Sequence, residues 1–142
     1  GGLGVGERCA FENRRYDLLD DARRIEMGCP PFAQIFALGA AVDFLGGIGV
    51  DRIAARVLAL NAYLTDGLAR VGVRGLSPGG PHRSGETLCA FSHPAHVVGF
   101  LAARNIQVTE KPQGIRVSTH FYNDEQDVDR LVEALREYRP PA

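Results

Sequence analysis

The chain has 142 residues, of which 45% are apolar, and such a chain can fold as one domain that needs no metal or disulfide to hold its core. Its formal net charge of −1 gives no electrostatic basis for binding nucleic acid or an anionic membrane. No apolar run reaches the length of a membrane span. Three cysteines, Cys9, Cys29 and Cys89, are an odd and sparse set that fits a reducing compartment. We therefore expect a cytoplasmic protein.

The first half of the chain predicts a loop followed by two long helices. Residues 1–30 are expected to be a glycine-rich N-terminal loop and an extended, charged segment, and residues 31–72 two helices. Pro31 suits a first helical turn, and Gly46–Gly47 is the expected end of that helix. Asp51 is the expected cap of the second helix, and Gly72 its stop. The apolar stripe of the second helix consists of Ile53, Val57, Leu60, Leu64, Leu68 and Val71.

The second half, residues 73–142, predicts the order ββαββα. Asn105 is the expected left-handed end of the first of its helices, and Asn123 with Gln126 is a capping-box-like start of the last. The expected strands are Val73–Leu76, Thr87–Ser92, Ile106–Thr109 and Ile115–Phe121, and the helix between them is Pro94–Arg104. We predict an α/β (α+β) fold for residues 1–142 as a single small domain, in which helices pack on one face of a small, mostly antiparallel sheet.

The most informative segment is the predicted strand Ile115–Phe121, where apolar and polar residues alternate. Arg116 lies in this strand, so the sheet would hold it in a defined position. A guanidinium group can bind a carboxylate through two parallel hydrogen bonds, which makes Arg116 a candidate anion-binding residue. The pattern alone favours the alternative that Arg116 is a surface residue on the polar face of an edge strand.

The remaining residues that carry chemistry form no recognisable site. Gly2–Gly6 lacks the spacing of a phosphate-binding loop and follows no strand. Cys89, His93 and His96 are residue types that bind zinc, but a fourth ligand is missing, so we predict no metal site. No Ser-His-Asp set has a nucleophile elbow. Lys111, which is the only lysine, lies in a predicted turn and is interpreted as an ordinary surface residue.

Four segments together resemble the C-terminal part of the class V aminotransferase family. These are fold-type I pyridoxal-phosphate enzymes, related to cysteine desulfurases and isopenicillin-N-epimerase-like enzymes. The order and spacing of the segments carry the likeness across essentially the whole chain. The segments are Gly1-Gly2; Arg24–Pro30, which is similar to an Arg-Phe-Glu-x-Gly-Thr-Pro motif; Leu38–Leu45 with Ile48-Gly49; and Ile115–Asn123 with Val128–Leu131.

The resemblance implies site residues position by position. Arg116 matches the arginine that holds the substrate α-carboxylate, which reverses the preference for a plain surface arginine. Cys29 stands where relatives have a threonine that reaches the cofactor phosphate of the neighbouring subunit. Because a thiol is a weak hydrogen-bonding group, such a contact would depend on backbone N–H groups near Gly28 and Cys29. The Schiff-base lysine, the aspartate that pairs with the pyridine nitrogen and the ring-stacking residue would lie upstream of Gly1-Gly2, which leaves no catalytic residue in this chain.

The resemblance also argues against one reaction. Relatives that are desulfurases place a reactive cysteine in a loop after the third strand, within an Arg-x-Gly-His-His-Cys-like motif. The corresponding stretch, Thr109–Gln113, contains no cysteine. Desulfurase chemistry by that route is therefore not expected.

The resemblance implies a pyridoxal-phosphate enzyme that acts on an amino acid or related amine by transamination, elimination or epimerisation. This chain would supply Arg116, and a large domain would bind the cofactor. We expect a homodimer, and we expect the chain alone to bind no cofactor and to be inactive. The alternative is a stand-alone, non-catalytic binding or interaction module that has kept the fold.

Overall fold

The computed structural model describes residues 19–25, 28 and 30–141. Its two compact units are residues 1–47 and residues 48–142. The prediction of one domain over residues 1–142 stays a prediction. Cys29, and with it the predicted phosphate contact of that residue, lies outside the described residues.

The first unit contains a short 3-10 helix, Ala22–Ile25, within the segment predicted to be extended, and then helix α1, Phe32–Ile48. The Pro31 carbonyl accepts a hydrogen bond from the Ile35 N–H at 3.1 Å, so the proline lies just before the first turn as its missing N–H favours. Helix α1 continues one residue past Gly46–Gly47.

The second unit begins with helix α2, Val50–Arg70. Leu60, Leu64 and Leu68 of the predicted stripe are at most 2% exposed. Gly72 is the predicted stop of this helix; it has a φ of 75°, and the N–H of Val73 donates to the Leu68 carbonyl at 3.0 Å, as in a left-handed helix end.

Asp51 is not the cap of α2, because Gly49 takes that place with a φ of 96°. Asp51 lies in the first turn, where its charge still favours the positive end of the helix dipole.

Among the described residues, three antiparallel strands form the sheet: β1 (Glu86–Ala90), β2 (Thr109–Lys111) and β3 (Gly114–Ser118), in the order β1-β3-β2. The predicted fold class is confirmed. However, β3 is the central strand, so the interpretation of Arg116 as an edge-strand residue is wrong. The strand also ends at Ser118 rather than at Phe121, and the Thr119 N–H then donates to the Gly85 carbonyl at 2.9 Å.

The predicted strand Val73–Leu76 is reduced to one bridge between Gly75 and Cys89. The Leu76 N–H donates to the Leu88 carbonyl at 2.7 Å, and the Ala90 N–H donates to the Arg74 carbonyl at 2.9 Å. This short segment therefore covers the outer edge of β1 without forming a full strand.

Two further helices complete the second unit: α3, Pro94–Ala102, and α4, Glu125–Glu137. Asn105 has a φ of 58° after α3, as predicted. The capping box of α4 lies one residue later than expected: Asp124 is the cap and Asp127 its partner, in place of Asn123 and Gln126. The Asn123 side chain instead accepts from the His120 N–H at 3.0 Å.

The core of the second unit lies between one face of the sheet and helices α2, α3 and α4. Cys89, Ile115 and Val117 from the sheet belong to the same buried cluster as the inner faces of α2, α3 and α4. In the described part of the chain, no single helix is long and apolar enough to cross a membrane; α1 and α2 pass that test only when counted as a bent pair.

Candidate functional site

The central strand β3 holds Arg116 on the face of the sheet that points away from the core. Its neighbours Ile115 and Val117 are 0% and 8% exposed, so the alternation of the strand directs Arg116 to the opposite face. Leu88 in β1 and Thr109 in β2 are its cross-strand partners. Because strands pair on both sides, the backbone of Arg116 is held in place more firmly than it would be at a sheet edge.

The guanidinium group of Arg116 retains binding capacity. One terminal nitrogen, Nη1, lies 3.4 Å from Oε1 of Glu86, longer than a strong charge-assisted hydrogen bond of about 2.8 Å. The Nε atom is buried and has no hydrogen-bond partner. The side chain is 36% exposed, so a carboxylate in solution can reach it. Arg116 is thus accessible to an anion, and its role as an anion-binding residue stays a prediction.

Glu86 is part of this site, and sequence reasoning missed it. It stands opposite Ser118 in the register of β1 and β3, diagonal to Arg116. The Ser118 hydroxyl donates to Oε1 of Glu86 at 3.4 Å. The alternation along β1 places Glu86 on the face of Arg116, but only the pairing register shows that the two side chains meet.

Gly28, the other described residue of the predicted site, has a φ of 87° and is exposed. A Cβ atom added there would meet nothing within 4 Å. This left-handed backbone suits glycine, but an open backbone position does not form a cradle for a phosphate. Among the described residues, Gly28 therefore provides no enclosed site for a cofactor phosphate.

The hairpin between β2 and β3 leaves no room for a cysteine-bearing loop. Lys111 ends β2 and Gly114 begins β3, so only Pro112 and Gln113 join the two strands. Cys89 is the free cysteine of the described residues, and it is fully buried. Burial raises the pKa of its thiol to about 11, so Cys89 is protonated and unreactive at neutral pH.

The residues weighed as metal ligands are not brought together. Cys89 lies in the core, whereas His93 and His96 are exposed. The Nδ1 atom of His96 lies 3.1 Å from the Tyr138 hydroxyl. Over the described residues, no group of three or more His, Cys, Asp or Glu side chains is placed to hold a metal ion.

A family model described as aminotransferase class V matches residues 3–131 of the chain. The chain belongs to this family. The class V aminotransferases depend on pyridoxal phosphate, and the resemblance seen in the four sequence segments is thus confirmed.

Individual relatives agree with this assignment. The chain is 34% identical to an isopenicillin N epimerase of Amycolatopsis lactamdurans, over 93% of this chain and 36% of that protein. It is also 34% identical to a cysteine desulfurase of Dickeya dadantii, over 82% of this chain and 32% of that protein. The solved apo structure of a cysteine desulfurase from Thermococcus onnurineus NA1 shares the fold, with a TM-score of 0.86 and 23% identity over 96% of this chain and 38% of that one.

The chain spans about a third of the length of the relatives that it matches. The expected large domain is consistent with this coverage, since most of each relative lies outside the matched region. This coverage is also consistent with a cofactor site that lies in the unmatched region of the relatives.

Proposed function

We propose that this chain is the substrate-carboxylate-binding part of a pyridoxal-phosphate enzyme that acts on an amino acid. Arg116 holds the α-carboxylate, and the cofactor, bound by a large domain, supplies the electron sink for the reaction at Cα. Holding the carboxylate fixes which bond at Cα stands perpendicular to the cofactor ring, and orientation of this kind is a substantial part of catalysis.

The observation that supports this proposal is that the central strand fixes the backbone of Arg116 while its side chain is only weakly paired. Pairing with Leu88 and Thr109 fixes its backbone. Its side chain is 36% exposed, and its ion pair with Glu86 is 3.4 Å long. An arginine held by the sheet and so poorly paired has donors left for a carboxylate, whose two oxygens match the guanidinium fork.

The reaction proposed does not use a cysteine persulfide formed on the β2–β3 connection. The two-residue turn Pro112–Gln113 has no cysteine, and buried Cys89 cannot take its place. Transamination, elimination and epimerisation remain, and the identity with an isopenicillin N epimerase supports epimerisation as the first reaction to test.

The test compares Arg116→Ala with Arg116→Lys in a protein that contains this chain joined to its large domain. Each protein is assayed with an amino acid and with the corresponding primary amine, which lacks the carboxylate. We expect kcat/KM for the amino acid to fall about a hundredfold or more in Arg116→Ala, because a charge-assisted, bidentate contact is lost. Arg116→Lys should recover part of the loss.

The amine is the control in this experiment. Its kcat/KM should be nearly the same in wild type and in Arg116→Ala, because it has no group for Arg116 to hold. Equal losses with both substrates would mean that Arg116 supports the structure rather than the carboxylate. Unchanged kinetics with the amino acid would remove Arg116 from the site.

The alternative function is a stand-alone interaction module, and the surface of α1 favours it. Seven large apolar side chains of this helix are between 40% and 76% exposed, and such a surface is typical of a binding face. An open reading frame that continues upstream into a lysine-bearing large domain would support the enzyme, whereas a start codon directly before the Gly1 codon would support the module.

The homodimer and the cytoplasmic location stay predictions. We propose that a site shared between subunits would bring the Gly28–Cys29 segment to the partner's cofactor phosphate. The molecular mass in solution of this chain joined to its large domain, measured with and without pyridoxal phosphate, tests whether the protein is a dimer.

A further inference from the structure

The face of the sheet that carries Arg116 also carries the only lysine of the chain. Thr109 on β2 stands opposite Arg116. Lys111 ends the same strand and stands opposite Gly114. Directly paired residues of an antiparallel sheet share a face, and the second residue along a strand returns to that face. Lys111 therefore lies on the outer face with Arg116, in a strand rather than in the predicted turn.

Lys111 and Arg116 are diagonal neighbours on adjacent strands. The Cβ atoms of such neighbours lie about 7 Å apart, a distance that long side chains span. The position opposite Lys111 is Gly114, and the next position across the sheet is Ala90 of β1. These two residues have no side chain and a single methyl group, so the surface beside Lys111 is low. A second anionic group can lie on this surface, next to a carboxylate held by Arg116.

The charges of this outer face do not cancel. Glu86 lies on the other side of Arg116 from Lys111, with its Oε1 atom 3.4 Å from Nη1. Lys111 is half-buried, and over the described residues no carboxylate forms an ion pair with its ammonium group. The adjacent Glu110 stands opposite the buried Ile115 and so belongs to the other face. The ammonium group of Lys111 is therefore open to an anion from solution.

A further cation lies at the opposite end of the low surface. Gly75 pairs with Cys89, whose side chain is in the core, so the preceding residue, Arg74, is directed to the outer face. The Ala90 N–H donates to the Arg74 carbonyl at 2.9 Å, which places Arg74 beside Ala90. Arg74 is exposed, and within the described part of the chain it forms no ion pair. Arg74 and Lys111 thus flank the low surface with positive charge.

We propose that this site prefers an amino acid whose side chain ends in a second anionic group. Arg116 holds the α-carboxylate, and the ammonium group of Lys111 binds the second anion above Gly114. Arg74 adds attraction from the far side of the low surface. The inference rests on the proposed function, because it requires the α-carboxylate at Arg116. The spacing of the two strand positions suits a short dicarboxylic amino acid, such as aspartate or glutamate.

The first measurement compares L-glutamate with L-glutamine in the protein that joins this chain to its large domain. The two substrates have nearly the same shape, but only the side chain of glutamate is charged. We expect kcat/KM to be about tenfold or more higher for glutamate, because only glutamate forms a charge-assisted hydrogen bond with Lys111. L-Aspartate and L-asparagine give the same comparison with a side chain one carbon shorter.

Variants at Lys111 test the contact itself. Lys111→Met keeps a long side chain without the charge, so it should lower kcat/KM for glutamate about tenfold, mainly through KM. The value for glutamine should stay unchanged. Lys111→Arg keeps the positive charge and should retain the preference for glutamate.

Two further variants separate this contact from a general effect of charge. Arg74→Met should lower the preference for glutamate less than Lys111→Met does, and a larger loss would overturn the assignment of the second anion to Lys111. Arg136→Met is the control, because it removes the same charge from α4, where Arg136 pairs with Glu133 at 2.9 Å. It should leave the preference unchanged. A fall as large as that of Lys111→Met would mean that net charge sets the preference, which also overturns the assignment.

Glutarate binding provides a measurement that needs no turnover. Glutarate has two carboxylates and no amino group, whereas pentanoate has the same chain length and one carboxylate. Calorimetry on the joined protein should give a dissociation constant about tenfold lower for glutarate than for pentanoate. Lys111→Met should remove this difference, and a difference that persists in Lys111→Met would overturn the contact.

Failure of this inference and failure of the proposed function appear with different substrates. L-Alanine has no second anionic group, so its kcat/KM in Arg116→Ala tests the proposed function alone. A wild-type protein that uses glutamate and glutamine equally well overturns the role of Lys111, while the role of Arg116 stands. No loss with L-alanine in Arg116→Ala removes the α-carboxylate contact, and the preference proposed here is overturned with it.

Discussion

Arg116 and Glu86 are diagonal neighbours on adjacent strands, with 3.4 Å between Nη1 and Oε1. Their side chains are 36% and 55% exposed, and exposed pairs of this kind contribute only about 0–1 kcal/mol to stability. The ion pair is therefore too weak to prevent a competing carboxylate from binding Arg116. We expect it to compete with a bound carboxylate, so that its removal changes the affinity of Arg116 for that carboxylate.

We predict that Glu86→Gln lowers KM for an amino acid about two- to fivefold in the joined protein, since Arg116 loses a competitor of that strength. The kcat value should stay nearly the same. The control is Glu110→Gln on β2, because Glu110 stands opposite Ile115 rather than Arg116. A higher KM in Glu86→Gln would mean that Glu86 positions the guanidinium instead of competing for it.

The capping box of α4 gives a prediction about stability. The side chain of Asp124 accepts from the Asp127 N–H at 3.0 Å, so Asp124→Ala should lower the free energy of unfolding by about 1 kcal/mol. Gln126→Ala is the matched control and should be neutral, although the sequence pattern assigns Gln126 the capping role. Urea unfolding measures both, and a larger loss in Gln126→Ala would restore the sequence-based assignment.

The ion pair between α2 and the start of α4 predicts a dependence on pH. Arg56 donates to both oxygens of Glu125, at 2.6 and 3.1 Å, and these hydrogen bonds hold the pKa of Glu125 below its usual value. Its contribution to stability is therefore present above the unfolded pKa of about 4.3 and is lost as the pH falls through the lower, folded value.

Urea midpoints at several pH values test this dependence in wild type and in Glu125→Gln. The midpoint of the variant should lie below that of wild type at pH 7, and the two should converge as the pH falls below about 4. A gap that stays constant down to acidic pH would show that Glu125 acts through packing rather than charge.

Local features of the fold were predictable from the sequence because they depend on neighbouring residues. The stripe that includes Leu60, Leu64 and Leu68, the left-handed Asn105 and the helix stop at Gly72 all follow from helical spacing and backbone preference. The end of β3 at Ser118 was not predictable in this way, because a strand ends where its partner's hydrogen bonds end.

The candidate site was predictable only in part for the same reason. Resemblance singled out Arg116, but its place on a central strand depends on the order β1-β3-β2, which no periodicity encodes. Glu86 carries no motif. Its place beside Arg116 comes from the register of β1 and β3.

Gly114 offers a test of the sheet itself. Its φ is 153°, and a Cβ added there would overlap the carbonyl oxygen of Cys89 on β1. Gly114→Ala should therefore cost about 3 kcal/mol or more, or prevent folding, because backbone atoms of the central strand pair must separate. Gly99→Ala on α3 is the control, since nothing lies within 4 Å of its added Cβ, and it should be neutral or stabilising. Similar unfolding midpoints for both variants would contradict the register of β1 and β3.

The exposed apolar surface of helix α1 predicts that the isolated chain associates with copies of itself. Phe36 and Phe44 are 76% and 64% exposed, and a helix that is apolar all round is normally buried. We expect sedimentation velocity to show concentration-dependent association of the 142-residue chain, and Phe36→Lys with Phe44→Lys to reduce it. Tyr122→Lys, at a side chain that is 75% exposed but lies outside α1, should leave the association unchanged. If the double variant associates as strongly as wild type, α1 is not the contact surface. The interaction-module alternative then loses the exposed apolar surface that favours it.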